Sequence, residues 1–375
     1  MKKKLKIAMI FSCDPSQAGG VQEHLRLLSN SLHDLGHTID IYGPENSIYK
    51  FINYYPIAKS IIVPVPNGSW TNITVEKQNI KKLVNLLNKK KYDIIHIHDP
   101  YVPFVGWEII KKTESKKIAT FHSAWEKHSI ISFINPFITL FQDTFSANFL
   151  GSIFVSKIVK KRWQKLCRKK VKQIIIHNAV DKTFFPVKKK TTSNINLLFL
   201  GRLVDKKGPK YLLKAFNKII KKFPKTKLIF VGEGPVKKSL EKYVKGKNLG
   251  NNVTFVGEIL GHKRIEYYQN ADIFCAPYYD EAFGITVLEA MATGTPIVGF
   301  NNSAFKEILK GYPYPELLVK SRDVDKLALA LEKIIKDKNM RQKIYSWLIR
   351  ESKKYSWEKI AKETEEFYYQ ILNKK

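Results

Sequence analysis

Two successive series of short apolar runs constrain this chain more than any other feature, because each run is followed by a longer stretch whose apolar residues recur at helical spacing. The first series occupies residues 7–11, 38–42, 94–98, 117–121, 153–155 and 174–176; the second occupies 197–200, 227–231, 253–256, 273–276 and 297–299. Strands that alternate with amphipathic helices build parallel sheets covered on both faces. The pattern therefore predicts an α/β chain of two doubly wound, Rossmann-like domains with a cleft between them. A basic and polar stretch, residues 186–194, reads as the linker. The expected division is 1–187, 188–355, and a C-terminal helix over 356–375 with Ile360, Phe367 and Ile371 on one face, packing back towards the N-terminal domain. With 375 residues the chain exceeds one simple core. Ligands of such sheets bind beyond the carboxyl ends of the strands, so the loops there hold the candidate site.

The formal charge is +32 and the pI about 9.8. That balance fits phosphate-bearing partners: nucleic acid, an anionic lipid surface or a nucleotide-sugar. No nucleic-acid recognition module is recognisable, so nucleic acid is not an expected partner. The opening residues imitate a signal peptide, yet Lys6 interrupts a short apolar run, and residues 7–11 are expected as a buried strand. Cys13, Cys167 and Cys275 are few, odd in number and far apart, which points to reduced thiols in a cytoplasm. The most apolar segment, 130–150, is broken by Asn135, Pro136 and Asp143 and falls short of a membrane span. Residues 75–91 place Ile80, Leu83, Val84 and Leu87 on one helical side beside Lys77, Lys81, Lys82 and Lys89 to Lys91, the pattern of a helix lying in a membrane interface or of a core helix with a solvated basic face.

The most informative motif is Glu281-Ala-Phe-Gly-Ile-Thr-Val-Leu-Glu289. Gly284 lacks a Cβ, and a helix opening at Ile285 would aim free N–H groups at an incoming diphosphate. Glu281 before the helix and Glu289 inside it suit a sugar and a ribose, since one carboxylate accepts two hydroxyls. After the run ending at Leu200, Gly201-Arg202 and Lys207-Gly208 set two cations between glycines; Arg202 offers a planar fork and Lys207 a compact charge to a diphosphate. Gly19-Gly20-Val21-Gln22 turns from the first strand into a helix, and Gly232 to Pro235 forms a further glycine-rich loop. His122 ends the run 117–121, where an imidazole can hydrogen-bond a sugar. His96 and His98 alternate on one strand without a third ligand at metal spacing nearby, and Asp323-Val-Asp325 reads as a helix cap, so no metal site is expected.

Together, Gly19-Gly20-Val-Gln22, His96-Ile-His-Asp-Pro100, Thr120-Phe-His122, Asn178-Ala-Val-Asp181, Gly201-Arg202 with Lys207-Gly208, and Glu281 with Glu289 resemble the retaining glycosyltransferases of family 4, group 1, with the GT-B fold. The resemblance runs along nearly the whole chain. Residues 66–69, Arg162-Trp163 and 271–277 look most like phosphatidylinositol mannosyltransferases. It implies two Rossmann-like domains facing across a cleft, with a C-terminal helix crossing back. It also implies that Arg202 and Lys207 bind the donor diphosphate, Glu281 the donor sugar, Glu289 the ribose, and that Gly20, Phe283, Gly284 and Ile285 line the donor. His122 would lie beside the reacting sugar, with Gln22, Asn67 and Lys127 on the acceptor side. Catalysis would rest on His122, Glu281, Arg202 and Lys207, with no metal and no cofactor beyond the donor substrate, GDP-mannose or a UDP-hexose. The implied place of work is the cytoplasm, peripheral on the inner face of the cell membrane, with a lipid or glycan acceptor.

The chain departs from those mannosyltransferases in two places. Trp70-Thr71-Asn72 stands where they carry an arginine for the inositol phosphate, and residues 257–262 lack an acidic pair for guanine. Donor base, sugar, acceptor and oligomeric state stay open at this level, and an enzyme for soluble acceptors or polysaccharide precursors competes with one for lipids.

Overall fold

The computed structural model describes residues 3–11, 20–44, 52–57, 60–64, 70–74, 77–100, 105–123, 148–163, 171–185 and 194–373. Two compact units emerge, Met1–Asn178 with Trp357–Lys375, and Ala179–Ser356. The linker expected at 186–194 lies outside the described residues except Asn194.

The first unit carries β1 (Lys6–Ile10), β2 (Thr38–Gly43), β3 (Tyr54–Pro56), the antiparallel pair β4 (Ser60–Pro64) and β5 (Trp70–Thr74), then β6 (Ile94–His98), β7 (Lys116–Phe121), β8 (Gly151–Phe154) and β9 (Lys172–Ile175). Apart from β4 and β5 these form one sheet, ordered β3-β2-β1-β6-β7-β8-β9 and parallel throughout. Its helices are α1 (Gly20–Asp34), α2 (Lys77–Lys90), α3 (Val105–Lys112) and α4 (Lys157–Trp163). Ile7 to Ile10 are all fully buried, as helix cover on both faces demands. The C-terminal helix, Trp357–Leu372, returns to this unit and packs on α1. His37 and Glu365 meet at 3.0 Å, and Phe367 lies where a side chain at Gly151 would stand.

In α2, Ile80, Leu83, Val84 and Leu87 are buried, with α3 as the neighbouring helix. Of the two readings of this helix the core one holds: its apolar stripe is buried and is not available for insertion into a bilayer. What faces solvent is a basic row, Lys81, Lys82, Lys89 and Lys91, with Leu86 among them.

The second unit holds a six-stranded parallel sheet: β10 (Asn196–Leu200), β11 (Lys227–Val231), β12 (Val253–Gly257), β13 (Ile273–Ala276), β14 (Ile297–Phe300) and β15 (Leu318–Val319), ordered β12-β11-β10-β13-β14-β15. Helices α5 (Pro209–Ile219), α6 (Lys237–Gly246), α7 (Arg264–Asn270), α8 (Ile285–Ala292), α9 (Ser303–Ile308), α10 (Val324–Lys336) and α11 (Lys338–Ser352) accompany it. Asp323 caps α10, its Oδ1 accepting the Lys326 N–H at 2.9 Å, as the sequence predicts. In each sheet the chain steps outward to one edge, then crosses to the other side of the starting strand, leaving a switch point between β1 and β6 and another between β10 and β13. Loops diverge there, which makes these two places the natural ligand crevices.

Candidate functional site

In the second unit the sequence-predicted residues gather at the switch point. The chain leaves β10 through Gly201 and Arg202 and makes a 3-10 turn at Asp205–Lys207. Gly208 then takes the left-handed conformation, φ 65°, against Pro277, where a Cβ would stand 2.0 Å from the Pro277 carbonyl oxygen. Only glycine fits. Pro209 follows as the first residue of α5. The loop after β11 braces this turn, with Gly201 N–H to the Val231 carbonyl at 3.0 Å and Leu203 N–H to that of Glu233 at 2.8 Å. On the other side, Tyr278 donates its hydroxyl to the Leu200 carbonyl at 2.8 Å, tying the end of β10 to the loop after β13.

That scaffold brings Lys207 to Glu281. Their side chains form an ion pair and hydrogen bond, and the ammonium sits over the Tyr278 ring, 4.1 Å from its centre. Burial would raise the Glu281 carboxyl; the charge and hydrogen bond of Lys207, the charge of Lys206 and the Ala282 N–H outweigh it and hold the group below its ordinary value. Glu281 is therefore an anion at neutral pH. Arg202 is exposed on the same loop and feels the Glu281 charge. Gly284, at φ 104°, precedes α8, whose first residue is Ile285. The first N–H groups of that helix have no intrahelical acceptor. Phe283 is buried with its ring near Tyr355, and Ile285 is half-buried.

Glu289 is almost wholly buried on α8, and both its oxygens are engaged, Oε1 by Arg264 Nη2 at 3.0 Å and Oε2 by the Tyr268 hydroxyl at 2.9 Å. Sequence reading missed Arg264 and Tyr268. Their spacing of four along α7 places both on one helical face, a signal visible only once Glu289 is known to lie opposite.

The first unit has its own cluster. Gly20 opens α1 as an exposed residue, Gln22 two residues on is buried, and His122 follows β7 with 7% exposure. Asp99, in a left-handed conformation at φ 51°, accepts the His122 N–H at 2.8 Å, while its own N–H donates to the Thr120 carbonyl. His98 Nδ1 and His122 Nε2 share a hydrogen bond of 2.9 Å. His96 is satisfied by Tyr368 on the C-terminal helix and by Thr120, at 2.7 and 2.6 Å. His24, which sequence reading passed over, lies edge-on to His122. Asn67 and Lys127 lie outside the described residues.

With this geometry in hand, comparison with known proteins is specific. The Glycosyl transferases group 1 family profile matches residues 180–346, and that of Glycosyltransferase Family 4 matches 18–184. A phosphatidyl-myo-inositol mannosyltransferase of Mycolicibacterium smegmatis is 27% identical over 364 residues, covering 95% of this chain and 92% of that protein. Among solved structures, a sucrose-phosphate synthase from Thermosynechococcus elongatus superposes with a TM-score of 0.77 at 23% identity, covering 98% and 99% of the two chains. Anabaena HepE in complex with UDP-glucose gives 0.78 at 17% identity, covering 98% and 100%. The two profiles, which together span residues 18–346, with two parallel α/β sheets beneath them, identify the chain as a member of the GT-B glycosyltransferases of the family 4, group 1 type.

Proposed function

We propose that this protein is a retaining, metal-independent hexosyltransferase that moves mannose or glucose from a nucleotide-diphosphate sugar to a membrane lipid such as phosphatidylinositol, or to a glycan acceptor, at the inner face of the cell membrane. The observation that carries the reading is the Lys207–Glu281 pair beside Arg202 and the start of α8. An arriving diphosphate competes with Glu281 for the Lys207 ammonium. As Lys207 turns to phosphate oxygens with Arg202, the Glu281 carboxylate is released to accept sugar hydroxyls. Arg202, Lys207 and the α8 N-terminus then face the charge that develops on the departing nucleotide diphosphate, the role a metal ion fills elsewhere. Glu289, held by Arg264 and Tyr268, accepts the ribose hydroxyls with its remaining lone pairs. The family resemblance assigns His122 to the reacting sugar and Gln22, with Asn67 and Lys127 outside the described residues, to the acceptor, while a donor phosphate oxygen takes the acceptor proton.

The lipid acceptor rests on the mannosyltransferase relative and on the solvent-facing lysines of α2; Trp70-Thr71-Asn72, in place of the expected arginine, favours a second reading with a glycan or soluble acceptor. Thermal unfolding with GDP-mannose, UDP-glucose, UDP-N-acetylglucosamine and free nucleotides, all without metal, tests the donor half. One donor should raise the unfolding temperature selectively, and Arg202→Ala should remove that rise. No shift with any of them sinks the proposal.

A further inference from the structure

His24 from α1, His98 from the end of β6 and His122 from the end of β7 converge in the first unit, each buried, with one nitrogen from each ring falling inside a 4.8 Å sphere of mutual distance. Their ring centres are 4.6 Å (His24 to His122), 5.2 Å (His98 to His122) and 5.7 Å (His24 to His98) apart. Three imidazoles on a tetrahedral zinc, with Zn–N of about 2.0–2.1 Å, set their ring centres about 5 Å apart. Unsatisfied polar atoms collect at the same place. His98 Nε2 and Trp357 Nε1 are buried without a hydrogen-bond partner among the described residues, and His24 Nδ1 and Asn178 Oδ1 find no well-formed hydrogen bond there either. Trp357 lies edge-on to His24 at 5.1 Å, and the Asn178 side chain interacts with the His24 ring. Buried polar groups without partners are uncommon, and several around one point mark a place built for something that supplies bonds.

We propose that His24, His98 and His122 form a binding site for a divalent transition-metal ion of the zinc type. The ligand chemistry is right. Each ring brings a nitrogen to one place, and a metal there displaces the His98 Nδ1–His122 Nε2 hydrogen bond, which otherwise occupies the only lone pair of one of those two rings. Asn178 adds an oxygen beside His24. His96 takes no part, since Tyr368 and Thr120 engage both its nitrogens. The consequence for activity rests on the function proposed above: a metal on His122 withdraws that ring from the reacting sugar, so zinc acts as an inhibitor and not as a cofactor.

The test uses the full-length protein stripped with chelator and titrated with Co2+ and Zn2+. One equivalent of Co2+ should give a visible ligand-field spectrum, Zn2+ should displace it, and the metal should raise the thermal unfolding temperature. His24→Gln and His98→Gln should each weaken metal binding by about tenfold or more, while His33→Gln, an exposed histidine on α1, should not. Transfer activity is then read with and without Zn2+: wild type should be inhibited and His24→Gln should resist. No uptake of metal, or uptake indifferent to both His24→Gln and His98→Gln, overturns the site and leaves its polar atoms to buried water. Metal binding with unaltered transfer keeps the site and overturns the role given to His122. Should one variant fail to fold, the other decides, with circular dichroism of each as the control.

Discussion

Glu281 and Lys207 neutralise each other in this structure, so each residue's removal has a distinct signature. Glu281→Ala should lower transfer on the order of 100-fold or more, as loss of a preorganised transition-state contact does, while circular dichroism stays that of the wild type. Unchanged turnover would sink the assignment. Lys207→Ala should abolish the donor-induced thermal shift and let the Glu281 carboxyl titrate at higher pH, because the partner that holds it down is gone. Gly208→Ala tests the turn itself. Its left-handed conformation costs a non-glycine residue about 1–3 kcal/mol, and contact with Pro277 adds to that; chemical denaturation should show the loss even with no ligand present.

At the scale of elements, α2 and the C-terminal helix illustrate how one pattern carries two meanings. The apolar stripe of α2 reads equally as a membrane face or a core face, since hydrophobic periodicity reports only that one side avoids water. Packing decided for the core. Leu87→Ala, at a fully buried position, should therefore cost about 2–5 kcal/mol in urea unfolding. Lys81→Glu with Lys82→Glu should leave stability within about 0.5 kcal/mol. Co-sedimentation with anionic vesicles then separates the surface role: if the basic row meets lipid, the charge reversal weakens binding while Leu87→Ala, as long as it stays folded, does not. The C-terminal helix was legible from Ile360, Phe367 and Ile371, all buried, but its polar anchors were not, because Glu365 meets His37 and Tyr368 meets His96 across hundreds of residues of chain.

At the scale of the molecule, the first unit carries an acid-labile centre. His24, at about 4, and His96, at about 3, stay neutral when folded, whereas the unfolded chain protonates them near 6.5. Stability from such depressed groups is complete above about 6.5 and is lost as pH falls towards the folded values, because the unfolded state then binds the extra protons. His24 alone accounts for on the order of 3 kcal/mol across that window. Unfolding free energy of the metal-free protein should thus fall steeply between pH 7 and pH 4, and His24→Gln should flatten the slope. A pH-independent stability over that range would show that these rings are solvated.

The amino-acid sequence by itself determined the two α/β series, nearly every strand of both sheets, the glycine turns at Gly208 and Gly284, and the cations and carboxylates around the second switch point. All of these are local: buried runs, helical periodicity and left-handed glycines are written within a few residues of one another. It missed the short edge strands β3 and β15 and the β4–β5 pair, whose pairing depends on neighbours far along the chain. It left Glu289 without Arg264 and Tyr268, and did not bring His24 and His122 beside His98, because those two arrive from a helix and another strand. Only the tertiary structure brings such groups together, since a parallel sheet sets side by side the ends of strands that dozens of residues separate.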